Sequence, residues 1–362
     1  MNDNNPIPIK FGILGCAQIA GKVSRAITLS PNSTICAIAS RSLSKATQFS
    51  TSNNLPNTVK IYDSYTSLLD DPNVDAVYMP LPTSLHVQWG VLAAKKKKHL
   101  LLEKPTAVSV EDLDLILEAC RCNGVQFMDG TMWLHHPRTG TMKDVLRDEQ
   151  RFGQLRMIQS TSTFSETEEF FEDNIRIKPD LDSLGALGDC GWYCIGAILW
   201  ATDYKLPKTV TALPSLSKNK AGVILACGGS FDWGDDGRTA SFYCSFLSNV
   251  SMDLALFGTN GSIHLEDFII PYKENSLSFE LTSAADFAEL HLGWTVKPET
   301  IVVGSEFSQE SLMIQEFARL VEGVKKYGKS PDSKWPDISR KTQLVVDAVN
   351  KSIEFGFKPV EL

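Results

Sequence analysis

The feature that most constrains the fold is a strand that runs into a glycine turn and out into a helix within the first forty residues. Lys10-Phe11-Gly12-Ile13-Leu14 is a short apolar run of the kind buried in a parallel sheet. Gly15-Cys16-Ala17-Gln18-Ile19-Ala20 follows at once, then a helix-like segment to about Leu29 and a second apolar run from Thr34 to Ala39. Strand, tight turn, helix, strand is the unit in which such a hexad cradles a dinucleotide pyrophosphate. The first glycine permits the sharp turn, and backbone N–H groups at the helix start point at the anion. The expected contacts are Gly15, Ala17, Gln18 and Ile19. Ala17 stands where the usual pattern has its middle glycine, so the phosphate approach is tighter than normal; Ala20 still allows close helix–strand packing. The competing reading is a parallel-sheet turn that binds nothing.

The end of the second strand narrows the ligand. A site for the unphosphorylated dinucleotide places an acid there for the ribose hydroxyls. This chain has Ser40-Arg41-Ser42, with Lys45 one turn on, and no carboxylate to repel a 2′-phosphate. The planar fork of Arg41 suits phosphate, and the serines add hydroxyl donors. The expected cofactor is therefore NADP(H); the alternative is an exposed arginine that merely opens a helix.

A chain of 362 residues suggests two domains. Its apolar share of 43% and charged share of 22% suit a soluble protein with full-sized cores. A net charge of −8 argues against a nucleic-acid partner. No apolar run is long enough to cross a bilayer, and Met1-Asn2-Asp3-Asn4-Asn5-Pro6 lacks the basic and apolar regions of a signal peptide. Eight scattered cysteines with no C-x-x-C read as reduced thiols of a cytoplasmic protein, and no metal site is expected. Lys95–Lys98 reads as a solvated helix end.

Strand and helix patterns alternate through the first third: helices over 43–52, 84–94 and 110–122, strands over 58–62, 74–79, 99–102 and 125–128. This predicts an α/β Rossmann domain, a doubly wound parallel sheet with its ligand at the carboxyl ends of the strands, over residues 1–132. Residues 133–362 read as an α+β domain with a large, mostly antiparallel open sheet. In it a helix over 139–148 leads to a strand over 157–163, an acidic loop over 166–173 and an apolar helix over 186–200. Strands are expected over 210–213, 222–231, 239–247, 252–257, 262–265 and 278–281. Helices over 309–326 and 339–354 close the chain, the last packing back on the first domain.

Two further motifs carry a family resemblance. Asp75-Ala76-Val77-Tyr78-Met79-Pro80-Leu81-Pro82-Thr83-Ser84-Leu85-His86 is followed by Leu101-Leu102-Glu103-Lys104-Pro105, and later by Gly185-Ala186-Leu187-Gly188-Asp189-Cys190-Gly191-Trp192-Tyr193. Together these resemble the Gfo/Idh/MocA oxidoreductases, in the branch of glucose–fructose oxidoreductase and dimeric dihydrodiol dehydrogenase, from Phe11 to the last helix. The wording of Asp129-Gly130-Thr131-Met132-Trp133 and of residues 339–348 is similar to that of plant members.

The chemistry of these residues makes sense by itself. Lys104 follows a strand end, where a cation can orient a substrate oxygen and depress the pKa of a neighbouring phenol. Asp189 and Tyr193 are four apart at a helix start and share a face. The resemblance implies that Tyr193 gives or takes the proton, that Asp189 binds a second hydroxyl, and that the Lys104–Pro105 bond is often cis. It also implies cofactor contacts from Pro80, Leu81, Thr83, His86, Glu103 and Lys104. Trp133, His136, Arg176 and Trp192 are the expected substrate pocket. Relatives often carry aromatic-Arg-Phe-His-Pro where this chain has Trp133-Leu134-His135-His136-Pro137, so a familiar polar anchor is missing.

The function these features imply is an NADP(H)-dependent dehydrogenase or reductase of a sugar, polyol or cyclic diol. The alternatives are reduction of a cyclic imine or iminium with the same residues, and a non-catalytic NADP-binding regulator. Segments such as 239–247 carry apolar residues on both faces, Phe242, Cys244 and Phe246 against Tyr243 and Leu247, which predicts a homodimer through the second domain's sheet.

Overall fold

The computed structural model describes residues 8–234 and 237–362, so the leader reading at residues 1–6 lies outside the described residues. The chain divides into two compact units. The first holds residues up to 135 together with 307–340; the second holds 136–306 and 341–362. The first segment of the first unit ends at residue 135. The return to the first unit, however, is made by the penultimate helix and the start of the last.

In the first unit strands and helices alternate: β1 (Ile9–Leu14), α1 (Gln18–Leu29), β2 (Ser33–Ala39), α2 (Leu43–Ser52), β3 (Lys60–Tyr62), α3 (Tyr65–Asp70), β4 (Ala76–Met79), α4 (His86–Lys95), β5 (His99–Leu102), α5 (Val110–Asn123) and β6 (Phe127–Asp129). Every pairing is parallel, in the order β3-β2-β1-β4-β5-β6. All residues of β4 and β5 are buried, as expected of central strands covered on both faces. The topology changes direction between β1 and β4, and ligands bind at that switch point, outside the carboxyl ends of the strands.

The second unit begins with α6 (Pro137–Leu146), β7 (Leu155–Ser165) and α7 (Glu168–Asp173). A wide π-type turn over Leu187–Gly191 then leads into α8 (Trp192–Ala201). Strands β8 (Thr209–Ala212), β9 (Ser217–Lys218), β10 (Ile224–Asp232), β11 (Thr239–Ser245), β12 (Leu247–Gly258), β13 (Gly261–Leu265), β14 (Ser276–Ser283) and β15 (Glu299–Gly304) follow. The chain then supplies α9 (Gln309–Tyr327) to the first unit and continues through α10 (Lys334–Glu354) to β16 (Val360–Glu361). The sheet runs β15-β14-β13-β12-β7-β11-β10-β8-β16, with β9 on β10. It is mostly antiparallel, with one parallel pair, β7–β11, at its centre.

Several elements differ from the sequence expectation. The acidic stretch at 166–173 forms α7 rather than a loop: the Thr167 side chain accepts from the Phe170 N–H at 3.4 Å, and Glu168 and Glu169 suit the positive end of the helix. The last helix starts at Lys334, five residues early, because Pro336 falls in its first turn, where a missing N–H costs nothing. The edge strands β15, β9 and β16 had no strong alternation to announce them. The alternation over 239–247 does place Phe242, Cys244 and Phe246 inside and Tyr243 and Leu247 outside.

Candidate active site

In the first unit the glycine turn has the shape a pyrophosphate needs. Gly15 adopts φ +108°, and a Cβ there would stand 2.8 Å from Leu81 Cδ2, so only glycine fits beneath the loop after β4. Serines cap α2, α3 and α5, but α1 has Ala17 at its N-cap with no side-chain hydrogen bond and no acid in its first turn. The amides at its start are left to an anion, and Gln18 and Ile19 are exposed beside them. These residues fit a dinucleotide phosphate.

At the end of β2, Arg41 and Lys45 are exposed, whereas the serines do structural work. Ser42 caps α2 by accepting from the Lys45 N–H at 3.4 Å, and buried Ser40 accepts from the Ser42 N–H at 3.3 Å. Arg41 and Lys45 are thus the groups open to a 2′-phosphate. Pro80, Leu81 and Thr83 form a buried loop over the switch point. His86 is 1% exposed, with Nε2 2.9 Å from the Leu81 carbonyl oxygen and Nδ1 3.1 Å from that of Thr106. Its imidazole therefore sits between this loop and the turn after β5.

That turn carries Glu103, Lys104 and Pro105, and the Lys104–Pro105 peptide is cis. The Tyr78 phenol donates to Glu103 Oε1 at 2.5 Å, and the Lys104 backbone N–H donates to Oε2 at 3.3 Å. A Cβ at Gly130 would lie 2.9 Å from Oε1, so that glycine makes room for the carboxyl. Burial raises the Glu103 pKa, against the lowering effects of Tyr78 and Lys104. Glu103 is a brace built into the turn that presents Lys104.

In the second unit the π-type turn delivers Asp189 and α8 delivers Tyr193. Helix α8 is apolar all round and therefore buried, and Tyr193 is its one residue that is not. Asp189 Oδ2 accepts from Arg176 Nε at 2.9 Å, and this carboxylate is the main cause of the raised Arg176 pKa. The Arg176 side chain is 39% exposed and gives the second unit a cation beside Asp189. The other pocket candidates are interior. Trp192 is 1% exposed, in the apolar packing of α8, and Trp133 is 2% exposed in the first unit. His136 caps α6: its Nδ1 accepts from the Arg138 N–H at 3.0 Å, and burial lowers its pKa to about 4. The ring is therefore neutral, with its proton on Nε2. Sequence reasoning missed Tyr78 and Gly130; an isolated phenol in an otherwise aliphatic buried strand was the available signal for Tyr78.

Residues 9–131 match the model of an oxidoreductase family with an NAD-binding Rossmann fold, and residues 141–264 match the GFO/IDH/MocA C-terminal domain. An uncharacterized oxidoreductase of Rhizobium meliloti is 30% identical over 77% of this chain and 81% of its own length. The chain belongs to the Gfo/Idh/MocA family. A D-xylose 1-dehydrogenase (NADP(+)) of Haloferax volcanii is 29% identical over 96% of this chain and 98% of its own. The fold is shared with KijD10, a 3-ketoreductase from Actinomadura kijaniata solved with NADP and TDP-benzene: TM-score 0.80, 24% identity, covering 95% of this chain and 97% of that one. As a Gfo/Idh/MocA member the chain is an oxidoreductase that uses a nicotinamide dinucleotide. Among the described residues no helix is long and apolar enough to cross a membrane, and no cluster of three ligand side chains could hold a metal.

Proposed function

We propose that this chain transfers hydride between NADP(H) and a carbonyl–alcohol pair of a sugar, polyol or cyclic diol. The observation that carries this reading is the start of α8, where one phenol stands out of a wholly buried helix close in sequence to a carboxylate paired with an arginine. The cofactor supplies the hydride chemistry. Tyr193 protonates the carbonyl oxygen in reduction or takes the proton from the alcohol in oxidation. Lys104 orients that oxygen, and Asp189, paired with Arg176, accepts a hydrogen bond from a second hydroxyl. The names of the xylose dehydrogenase and the 3-ketoreductase favour a sugar substrate over an imine.

The exposed Arg41 and Lys45 support NADP(H) over NAD(H). The test is fluorescence titration with both reduced cofactors. NADPH binds at least about tenfold tighter, a difference of about 1.4 kcal/mol, and Arg41→Ala removes the preference; equal affinities in the parent chain overturn it. Eight cysteines, none of them in a disulfide, support a cytoplasmic setting. Tyr243, Leu247, Phe257 and Val302, all exposed, support a homodimer through the sheet of the second unit, read by light scattering as twice the 40.0 kDa chain.

A further inference from the structure

The ion pair of Arg176 and Asp189 joins two stretches of chain that have little regular structure of their own. Arg176 sits on a single helical turn, Ile175–Ile177, between α7 and the π-type turn. Such a turn is unstable alone, because its residues are fixed in return for too few hydrogen bonds. Its amino end is closed by Asn174, whose side chain accepts from the Arg176 N–H at 3.0 Å. Its carboxyl end is closed by a residue from elsewhere in the second unit: Asn219 Nδ2 donates to the Ile177 carbonyl oxygen at 2.8 Å.

Asn219 is itself held fast. It opens the turn between β9 and β10, and its Oδ1 accepts from the Ala221 N–H at 3.0 Å and the Val223 N–H at 2.9 Å. Its backbone N–H donates to the Val223 carbonyl oxygen, and its own carbonyl accepts from the Gly222 N–H, both at 3.0 Å. With the oxygen side of the planar amide fixed, the Nδ2 side keeps one direction, toward Ile177. The same hairpin also receives the other partner of the pair. Gly185, which leads into the π-type turn of Asp189, packs so close to β10 that a Cβ there would stand 2.2 Å from the Ile224 carbonyl oxygen. Residues 219–224 are therefore a common reference for the two groups, which meet at 2.9 Å.

We propose that Asn219 is a positioning residue for substrate: by holding Ile177 it sets Arg176 against Asp189, and so fixes where that carboxylate meets a substrate hydroxyl. The proposal rests on the reading of Asp189 as a substrate ligand. It differs from a merely structural role because substrate affinity follows the single bond to Ile177, whereas stability follows the whole hairpin turn.

Two variants separate these roles. Asn219→Asp keeps the acceptor for Ala221 and Val223 and loses the donor to Ile177; Asn219→Ala loses both. The first readout needs no substrate. In nitrogen NMR spectra of the full chain the Arg176 Nε–H, identified by its loss in Arg176→Lys, is protected from solvent exchange in the parent and exchanges freely in Asn219→Asp; retained protection overturns the proposal. The second is turnover of D-xylose, D-glucose and a cyclohexanediol with NADP+, beside thermal melting. Both variants raise KM about three- to tenfold, the effect of one lost hydrogen bond, while only Asn219→Ala melts appreciably earlier. In the Arg176→Ala background Asn219→Asp raises KM no further. A KM that is unchanged in Asn219→Asp, or that rises only in step with lost stability, overturns the proposal. An unchanged KM in Asp189→Asn, or turnover of none of the three compounds by the parent, overturns the reading beneath it, so the two failures are told apart.

Discussion

Lys104 and Asp189 are held in opposite ways. The turn of Lys104 is braced from inside: Glu103 takes the Tyr78 phenol and a backbone N–H in a space that Gly130 keeps open. Asp189, its side chain 13% exposed, is paired with an arginine whose side chain is 39% exposed. A buried brace is costly to break, because its members have no water to turn to, whereas a half-exposed ion pair exchanges one solvated state for another. The first arrangement fixes a group regardless of what binds. The second pairs a carboxylate with a cation while leaving it able to change partners.

If both residues serve one reaction, the contrast in their supports should vanish when the acting groups themselves are removed. Lys104→Ala and Tyr193→Phe each retain the fold and NADPH binding and each lose about 10²–10⁴-fold in turnover. Unchanged kcat in Tyr193→Phe on a substrate the parent turns over breaks the assignment.

A second measurement sharpens the picture of the groups around the site. His136 has its folded pKa lowered from 6.5 to about 4, so the unfolded chain takes up this proton first. Its contribution to stability is present above pH 6.5 and is lost as the pH falls toward 4. Asparagine is a good N-cap and does not titrate there. His136→Asn should therefore lose about 2 kcal/mol less stability than the parent between pH 7 and pH 4.5, read from urea unfolding at the two values; parallel losses sink the reading.

The braces themselves give the smallest and most direct comparison. Tyr78→Phe removes the donor to the Glu103 carboxyl and destabilises by about 1–3 kcal/mol. Arg176→Ala costs less than about 1 kcal/mol in stability and shows instead as a raised KM for substrate. Equal stability losses would erase the distinction between the two supports.

Much of this was legible in the sequence because it is written in local pattern. The hexad from Gly15, the short apolar strands and the alternation through β11 are period and turn chemistry, and they announce a doubly wound parallel sheet without its strand order. The Glu-Lys-Pro turn and the Asp189–Tyr193 spacing are motifs, readable without knowing what surrounds them. What could not be read is set by distant packing. That the His86 ring lies between the carbonyls of Leu81 and Thr106 depends on two loops about twenty residues apart. That Arg176 meets Asp189 depends on a loop with no periodicity. Trp133 and Trp192 looked like pocket walls because aromatics often are, yet an all-apolar helix such as α8 pulls its tryptophan inward. The helix over 168–173 was hidden by acidity, which reads as loop until the Thr167 cap is recognised.

The first unit is also discontinuous in the chain, and that carries a consequence for the order of its birth. Phe11 in β1 meets Phe317 in α9 with ring centroids 5.9 Å apart, Lys22 pairs with Glu310 at 2.7 Å, and the Ser30 hydroxyl donates to the Ser311 carbonyl at 3.0 Å. The whole run from 136 to 306 is thus an insertion between a nucleotide-binding sheet and the helix that closes it. On the ribosome the sheet emerges first and waits through the synthesis of nearly all of its neighbour before its last cover arrives. Apolar surface around Phe11 stays uncovered for that interval, and the long sequence separation slows its closure.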